Sequence, residues 1–190
     1  MLSEFSIDAP LAGGLFDISV LFSRECDLCH ELAVSDDKNT ILKIPVTSDI
    51  TTSFESFFLP SSVEKMCFTC GKNTQFTESK KFLTSGSHLI IQLMRFAQNI
   101  DGSAAKNTTE FAFSKFLSIP ITSHDGTVVV KQFCLKGFVN HLGTLDNGHY
   151  TSTVYRDRWL HCDDTKVSFA NHDEEFSSKS AYLLFFEEVR

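Results

Sequence analysis

The chain has no long apolar run. Its most apolar stretch, His88 to Phe96, is broken by Gln92 and is far shorter than the ~20 residues a membrane-crossing helix needs. A basic stripe is also missing. Lys and Arg number 17 against 24 Asp and Glu, for a formal charge of −7, with both signs spread along the chain. Nucleic-acid phosphates are held by clustered cations, so neither nucleic acid nor a membrane is an expected partner. The first residues, M-L-S-E-F-S-I-D, lack the positive start and apolar core of an export signal. The expected compartment is therefore cytoplasmic or nuclear, where cysteines stay reduced. No G-x-S-x-G nucleophile elbow occurs either.

What is present suits one ordinary domain. The 190 residues are enough to bury a substantial core, and most of the 19 phenylalanines are expected in it. From Phe16 the pattern alternates: Phe16, Ile18, Val20 and Phe22 share one face of a half-buried strand that runs into Cys26. A second strand is expected over Thr40 to Val46, at an edge or ending there because Pro45 has no N–H to give a ladder. Thr52-Ser-Phe-Glu55 reads as a capping box, followed by the apolar stripe Phe54, Phe57 and Phe58 and the stop Pro60. Leu89 to Met94 reads as a central strand, and Asn99 to Asn107 as a mobile loop. Further strands are predicted over Phe111–Phe116, Val128–Val139, Tyr150–Tyr155, Trp159–Cys162 and Ala181–Glu187. The predicted fold class is mostly antiparallel β with one or two short helices, after a flexible lead-in over residues 1–15.

Four of the six cysteines fall in two pairs, Cys26-x-x-Cys29 and Cys67-x-x-Cys70. Each pair puts two thiolates on one tight turn, and four thiolates close the shell of a tetrahedral ion. The expected cofactor is one structural Zn²⁺; the alternative is four ordinary reduced cysteines. His30 is a possible competing ligand that a complete Cys₄ shell does not need.

The stretch Gly148 to Asp164, G-H-Y-T-S-T-V-Y-R-D-R-W-L-H-C-D-D, carries a second constellation. His149, Thr151, Thr153 and Tyr155 point to one side of a strand. If Arg156-Asp157-Arg158 is the turn and Tyr155 pairs with Trp159, Asp163 falls opposite Thr151 and diagonal to His149. A carboxylate there fixes the imidazole tautomer and leaves the other nitrogen as a base. Taken alone, the pair reads equally well as a surface salt bridge. No nucleophile is recognisable beside it. Cys162 precedes Asp163 and so points to the other face, and Cys134 lies in a strand with no turn or helix N-terminus before it to activate its thiol.

These motifs resemble the ubiquitin-specific protease family, the papain-like cysteine deubiquitinases. The similarity runs from about Phe16 to the C-terminus through Cys26-Asp-Leu-Cys29, Cys67-Phe-Thr-Cys70, His88 to Phe96, Val139 to Thr151, Trp159 to Asp164 and Ser180 to Phe186. The resemblance implies a palm-and-fingers architecture, with zinc-bearing fingers over residues 16–85 and a palm over residues 86–190. It implies His149 as general base, Asp163 as its orienter and Asp164 as a supporting residue. The stretches Ala97–Thr109 and Asn140–Asn147 would be loops flanking a ubiquitin tail, with Asn140, His141 and Gly148 beside it. The implied reaction is thiol-dependent hydrolysis of an isopeptide bond after ubiquitin's C-terminus.

The departures from the family are as informative. Its cysteine box and thumb precede the fingers, and here residues 1–15 hold neither. Cys162 stands where an aromatic or apolar residue is usual, and Ser114 where proline is common. The expectation is a deubiquitinase portion inert alone, completed by a separate thumb segment. The alternatives are a catalytically dead module that binds ubiquitin or a ubiquitin-like protein, and a zinc-stabilised interaction scaffold. A palm without its thumb exposes a face that is otherwise buried, so self-association is a further expectation.

Overall fold

The computed structural model describes residues 14–98, 104–123, 125–144, 147–170 and 175–189. In chain order the first elements are β1 (Ile18–Cys26), β2 (Leu32–Asn39), β3 (Leu42–Pro45), helix α1 (Ile50–Phe58), β4 (Ser61–Met66), β5 (Asn73–Ser85), β6 (His88–Met94), β7 (Phe96–Gln98) and β8 (Ala104–Lys106). Then follow β9 (Phe111–Ser114), β10 (Phe116–Thr122), β11 (Val128–Gly143), β12 (Gly148–Arg156), β13 (Arg158–Asp163), β14 (Lys166–Phe169), β15 (Glu175–Ser178) and β16 (Ala181–Glu188). The fold is mostly antiparallel β with one helix among the described residues, as predicted. That helix is not long and apolar enough to cross a membrane.

Two sheets carry the architecture. A four-stranded sheet runs β2-β1-β5-β4, and an eight-stranded sheet runs β14-β13-β12-β11-β16-β6-β3 with β10 also paired to β11. Among the described residues every ladder is antiparallel except β3 with β6. Strand β3 is the edge its proline predicts: Leu42 and Ile44 are buried, and the chain leaves the sheet at Pro45. The expected central strand, β6, lies between β16 and β3 and buries Leu89, Ile91 and Leu93.

One core joins these strands to α1 and to the β9–β15 ribbon. It contains Ile44, Leu89, Ile91, Leu184 and Phe186 from the large sheet, Ile50 and Phe54 from the helix, and Phe111, Phe113 and Phe176 from the ribbon. The rings of Phe113 and Phe176 stack with centroids 5.3 Å apart. The other face of the large sheet has an apolar row of its own. Pairing register aligns Ile90, Phe185, Gly137, Val154, Leu160 and Phe169 across five ladders, and Phe169 is 70% exposed.

The cap of helix α1 lies three residues before the predicted one. Asp49, not Thr52, is the N-cap: its Oδ1 accepts the Thr52 N–H at 2.8 Å and its Oδ2 the Thr52 hydroxyl at 2.9 Å. An aspartate competes for this role at least as well as a threonine, and Thr52 serves as the donor instead. The end is as expected, with Leu59 as C-cap before Pro60.

The two segments predicted as loops are partly strand. Residues 99–103 lie outside the described residues, but Ala104–Lys106 pairs with Phe96–Gln98 as β8 with β7. Strand β11 continues through Asn140, His141 and Leu142 to Gly143, with residues 145 and 146 outside the described residues. Residues 1–13 of the predicted lead-in also lie outside them; the Leu15 carbonyl accepts the His88 N–H at 2.9 Å.

Candidate functional site

Strand β1 ends on Cys26, and strand β4 leads into Cys67. Both pairs then turn the same way. The N–H of His30 returns to the Cys26 carbonyl at 2.9 Å, and that of Gly71 to the Cys67 carbonyl at 2.8 Å. The residue after each pair takes a left-handed conformation, His30 at φ 59° and Gly71 at φ 68°. These matched turns aim four sulfurs at one point, all within 4.8 Å of one another. Cys26 and Cys67 are buried, Cys29 and Cys70 half-buried, and Phe76 packs against them. His30 is turned outward, its Nδ1 2.9 Å from Glu25 Oε1, and is no part of the cluster.

The sulfurs compete for charge. The backbone N–H of Cys70, helped by that of Thr69, pulls the Cys67 thiol down to about 6. At Cys29 the backbone N–H of Glu31 also pulls down, but burial and the three neighbouring thiols outweigh it and push that group up to about 12. Four thiolates this close repel one another, and a cation between them removes that repulsion. Tetrahedral zinc with Zn–S of about 2.3 Å sets sulfurs roughly 3.8 Å apart, and Cys29 Sγ and Cys67 Sγ lie 3.6 Å apart. The donor set and spacing therefore fit a single metal ion.

The second cluster is built by the β12–β13 hairpin. Tyr155 pairs with Trp159 and Ser152 with Cys162, which is the register expected from parity. The turn is tighter than expected: the ladder closes at Arg156 and Arg158, leaving Asp157 alone at φ 62°. Thr151 and Thr153 are buried on the face that also carries His149 and Asp163. The result is His149 Nε2 at 2.5 Å from Asp163 Oδ1. A carboxylate can only accept, so Nε2 carries the proton and Nδ1 keeps the lone pair. Asp164, at φ 50°, brings a carboxylate oxygen into the same 4.8 Å cluster.

Electrostatics follow the geometry. The hydrogen bond that His149 donates to Asp163, with the charges of Asp163 and Asp164, raises the His149 pKa against a smaller opposing effect of burial. The same bond holds Asp163 below the ordinary carboxylate value. Both side chains are 45% exposed, so the imidazole is reachable from solvent.

The remaining predicted residues are also placed. Asn140 is half-buried, its Oδ1 accepting the Ser178 hydroxyl at 3.0 Å and the Ser180 hydroxyl at 3.3 Å. His141 is 4% exposed, and Gly148 is exposed at the start of β12. Cys162 pairs with Ser152 and so faces away from His149, while Cys134 pairs with Phe116 and Glu187 further along β11.

Two cations escaped the sequence reading. Buried Arg95 donates to four carbonyls: Ala181 at 2.5 Å, Asn107 and Thr109 at 2.9 Å, and Ser178 at 3.0 Å. Lys106 donates to the carbonyls of His141 at 2.6 Å and Gly143 at 2.9 Å. Their partners are backbone atoms distant in sequence, which leave no motif.

Residues 15–186 match the family described as ubiquitin carboxyl-terminal hydrolase. Ubiquitin carboxyl-terminal hydrolase 4 of Candida glabrata is 26% identical over 217 residues, covering 100% of this chain and 24% of the relative. Ubiquitin carboxyl-terminal hydrolase nonstop of Drosophila melanogaster is 31% identical over 135 residues, covering 67% of this chain and 26% of the relative. Among solved structures, a chain of the SAGA Ubp8/Sgf11/Sus1/Sgf73 DUB module bound to ubiquitin aldehyde superposes with TM-score 0.77 at 22% identity. That match covers 93% of this chain and 42% of the other, so the chain spans less than half the length of these proteins.

Proposed function

Because the chain belongs to the ubiquitin carboxyl-terminal hydrolase family, we propose that it is the palm-and-fingers part of a ubiquitin-specific protease and supplies the base half of its catalytic triad. The contact of 2.5 Å between His149 Nε2 and Asp163 carries this reading. The nucleophile is a cysteine brought by a thumb segment outside these 190 residues. His149 Nδ1 takes the thiol proton, and the thiolate attacks the isopeptide carbonyl after ubiquitin's C-terminus. The tetrahedral intermediate collapses, the C–N bond breaks, and the leaving amine takes the proton back from His149. A water molecule, deprotonated by the same nitrogen, then attacks the thioester, releasing ubiquitin's carboxylate and the thiolate. Asp163 holds the ring in its tautomer throughout and offsets the imidazolium charge. Asp164 supports the site, and Asn140, His141 and Gly148 border the ubiquitin tail.

The four sulfurs of Cys26, Cys29, Cys67 and Cys70 would hold a structural Zn²⁺ with no open coordination position. Its role is to fix the two turns at the tip of the fingers. Ubiquitin as the bound partner is supported by the family and by the ubiquitin aldehyde held by the similar DUB module.

A second reading, a ubiquitin-binding module without catalysis, is favoured by one observation: Cys134 and Cys162 both lie off the face that carries His149. The two are separated by incubating the chain with a ubiquitin C-terminal fluorogenic reporter, alone and with a cysteine-bearing thumb segment from a relative. The expected result is no turnover alone and turnover on addition, abolished by His149→Ala. Binding of ubiquitin without turnover in either case selects the module. Turnover by the chain alone that survives Cys134→Ala and Cys162→Ala but not His149→Ala overturns the assignment of the nucleophile.

A further inference from the structure

His141 is buried and titratable, and the mechanism gives it no proton to move. Its ring lies in an aromatic box, with centroids 4.7 Å from Tyr150, 5.3 Å from Phe96 and 6.2 Å from Tyr182. Its Nδ1 is sealed from solvent and has no hydrogen-bond partner among the described residues. Burial, and then the charge of Lys106, lower its pKa, so the ring stays neutral. The ring thus acts by its shape.

That shape meets Gly148. A Cβ built on Gly148 would lie 2.0 Å from His141 Nε2, 2.8 Å from Cε1 and 3.0 Å from Cδ2. Glycine is required there for space alone, so that the ring can sit against the backbone. Gly148 is bonded to His149. In the β11–β12 ladder His141 pairs with Tyr150, Leu142 with His149, and Gly143 with Gly148. The end of the hairpin is equally tight: Gly143, at φ 89°, has room for no Cβ, which would stand 2.4 Å from the Asn147 carbonyl oxygen. From outside the hairpin, Lys106 on β8 grips the carbonyls of His141 and Gly143. The backbone on both sides of His141 is therefore fixed, and its ring is a wedge of fixed depth against the residue preceding the base.

We propose that His141 is a positioning residue for His149: its ring, seated on Gly148 and anchored through Lys106, sets where β12 begins and thereby aims the imidazole of His149 at Asp163. This inference rests on His149 being the functional imidazole, yet it is testable without any activity. Burial of the His141 ring places its action on the tail channel through the hairpin backbone.

The test is an NMR titration of the His149 imidazole in the full chain, with bound metal and far-UV circular dichroism as controls of folding. The groups facing this imidazole are Asp163 and Asp164 from β13 and its turn, with His161 and Lys166 acting on Asp163. Gly148→Ala is expected to break the contact and return the His149 pKa to the ordinary imidazole value. His141→Ala, which removes the wedge and leaves Gly148 in place, is expected to lower the His149 pKa as well. His141→Phe keeps a ring of similar size without the nitrogens and is expected to leave the titration as in the parent chain. Should Gly148→Ala fail to fold, Lys106→Met, which removes the two carbonyl bonds without touching the ring, is expected to lower the His149 pKa instead. A raised pKa that persists in a folded Gly148→Ala or in a folded His141→Ala overturns the proposal. If the titrations behave as expected while the thumb-supplemented chain never turns over, the reading of His149 as base fails and the positioning role stands.

Discussion

The imidazole of His149 and the carboxylate of Asp163 bind one proton less firmly shared than a buried pair would, since each side chain is 45% exposed. Their opposite shifts nevertheless define a pH window. The raised His149 contributes stability below the ordinary imidazole pKa and loses it as pH rises through its own raised value. The depressed Asp163 contributes above the ordinary carboxylate pKa and loses it as pH falls through its own lowered value. The pair is therefore strongest between the ordinary carboxylate pKa and the ordinary imidazole pKa, and its contribution fades as pH rises on through the raised pKa of the histidine. Asp163→Asn should leave the fold intact and bring the His149 titration down toward neutral-imidazole behaviour, with Asp164 retaining a small part of the elevation. An NMR titration unchanged by this substitution would show that the 2.5 Å contact does not govern the ring. At this scale the sequence was most legible: alternation alone put His149 and Asp163 on one face. It could not show that His141 is buried, because its aromatic box draws on Phe96 and Tyr182, far away in the chain.

Among the elements, α1 shows how a start signal is misread by one turn. Thr52 and Glu55 make a plausible capping box, yet Asp49 stands three residues earlier and is bonded to the N–H of Thr52. That backbone bond, followed by the hydroxyls of Ser48 and Thr52, holds the Asp49 carboxyl below its ordinary value. Its contribution is present above the ordinary carboxylate pKa and lost as pH falls through the lowered one. Asp49→Ala should cost about 1 kcal/mol in urea unfolding at neutral pH, while Thr52→Ala, which keeps its N–H, should cost less. The reverse order would restore Thr52 as the cap. Strands with one buried face, such as β1, β6 and β16, were foreseen from their pattern. Strands β2 and β4 were not, because every residue in them is exposed and no alternation marks a buried side. Strand β8 was hidden for a related reason: polar, turn-rich sequence pairs with β7 through backbone bonds that any side chain permits.

Across the whole molecule the two sheets are interleaved along the chain. Strands β1 and β2 belong to the small sheet, β3 to the large one, β4 and β5 to the small one again. The four-sulfur cluster joins the ends of β1 and β4, so a metal there closes a loop containing β3 and α1. Metal removal should therefore weaken the large sheet as well as the small one. Metal analysis is expected to give one zinc per chain, and Cys67→Ser to lose the metal together with near-ultraviolet signals of the single tryptophan, Trp159, on β13. A folded, metal-free protein whose Trp159 environment is unchanged would remove the structural role.

The position of β16 has a consequence for the order in which this fold can be assembled. It is the latest of the strands in sequence, yet it lies between β11 and β6, joining the half of the sheet that carries His149 to the half that packs against α1. As the chain leaves the ribosome, both halves emerge with an unpaired strand edge, and neither can be sealed until Ala181 to Glu188 has been made. Until β16 has emerged the edges of β6 and β11 stay open without their shared partner, and an open strand edge is a template for pairing with another chain.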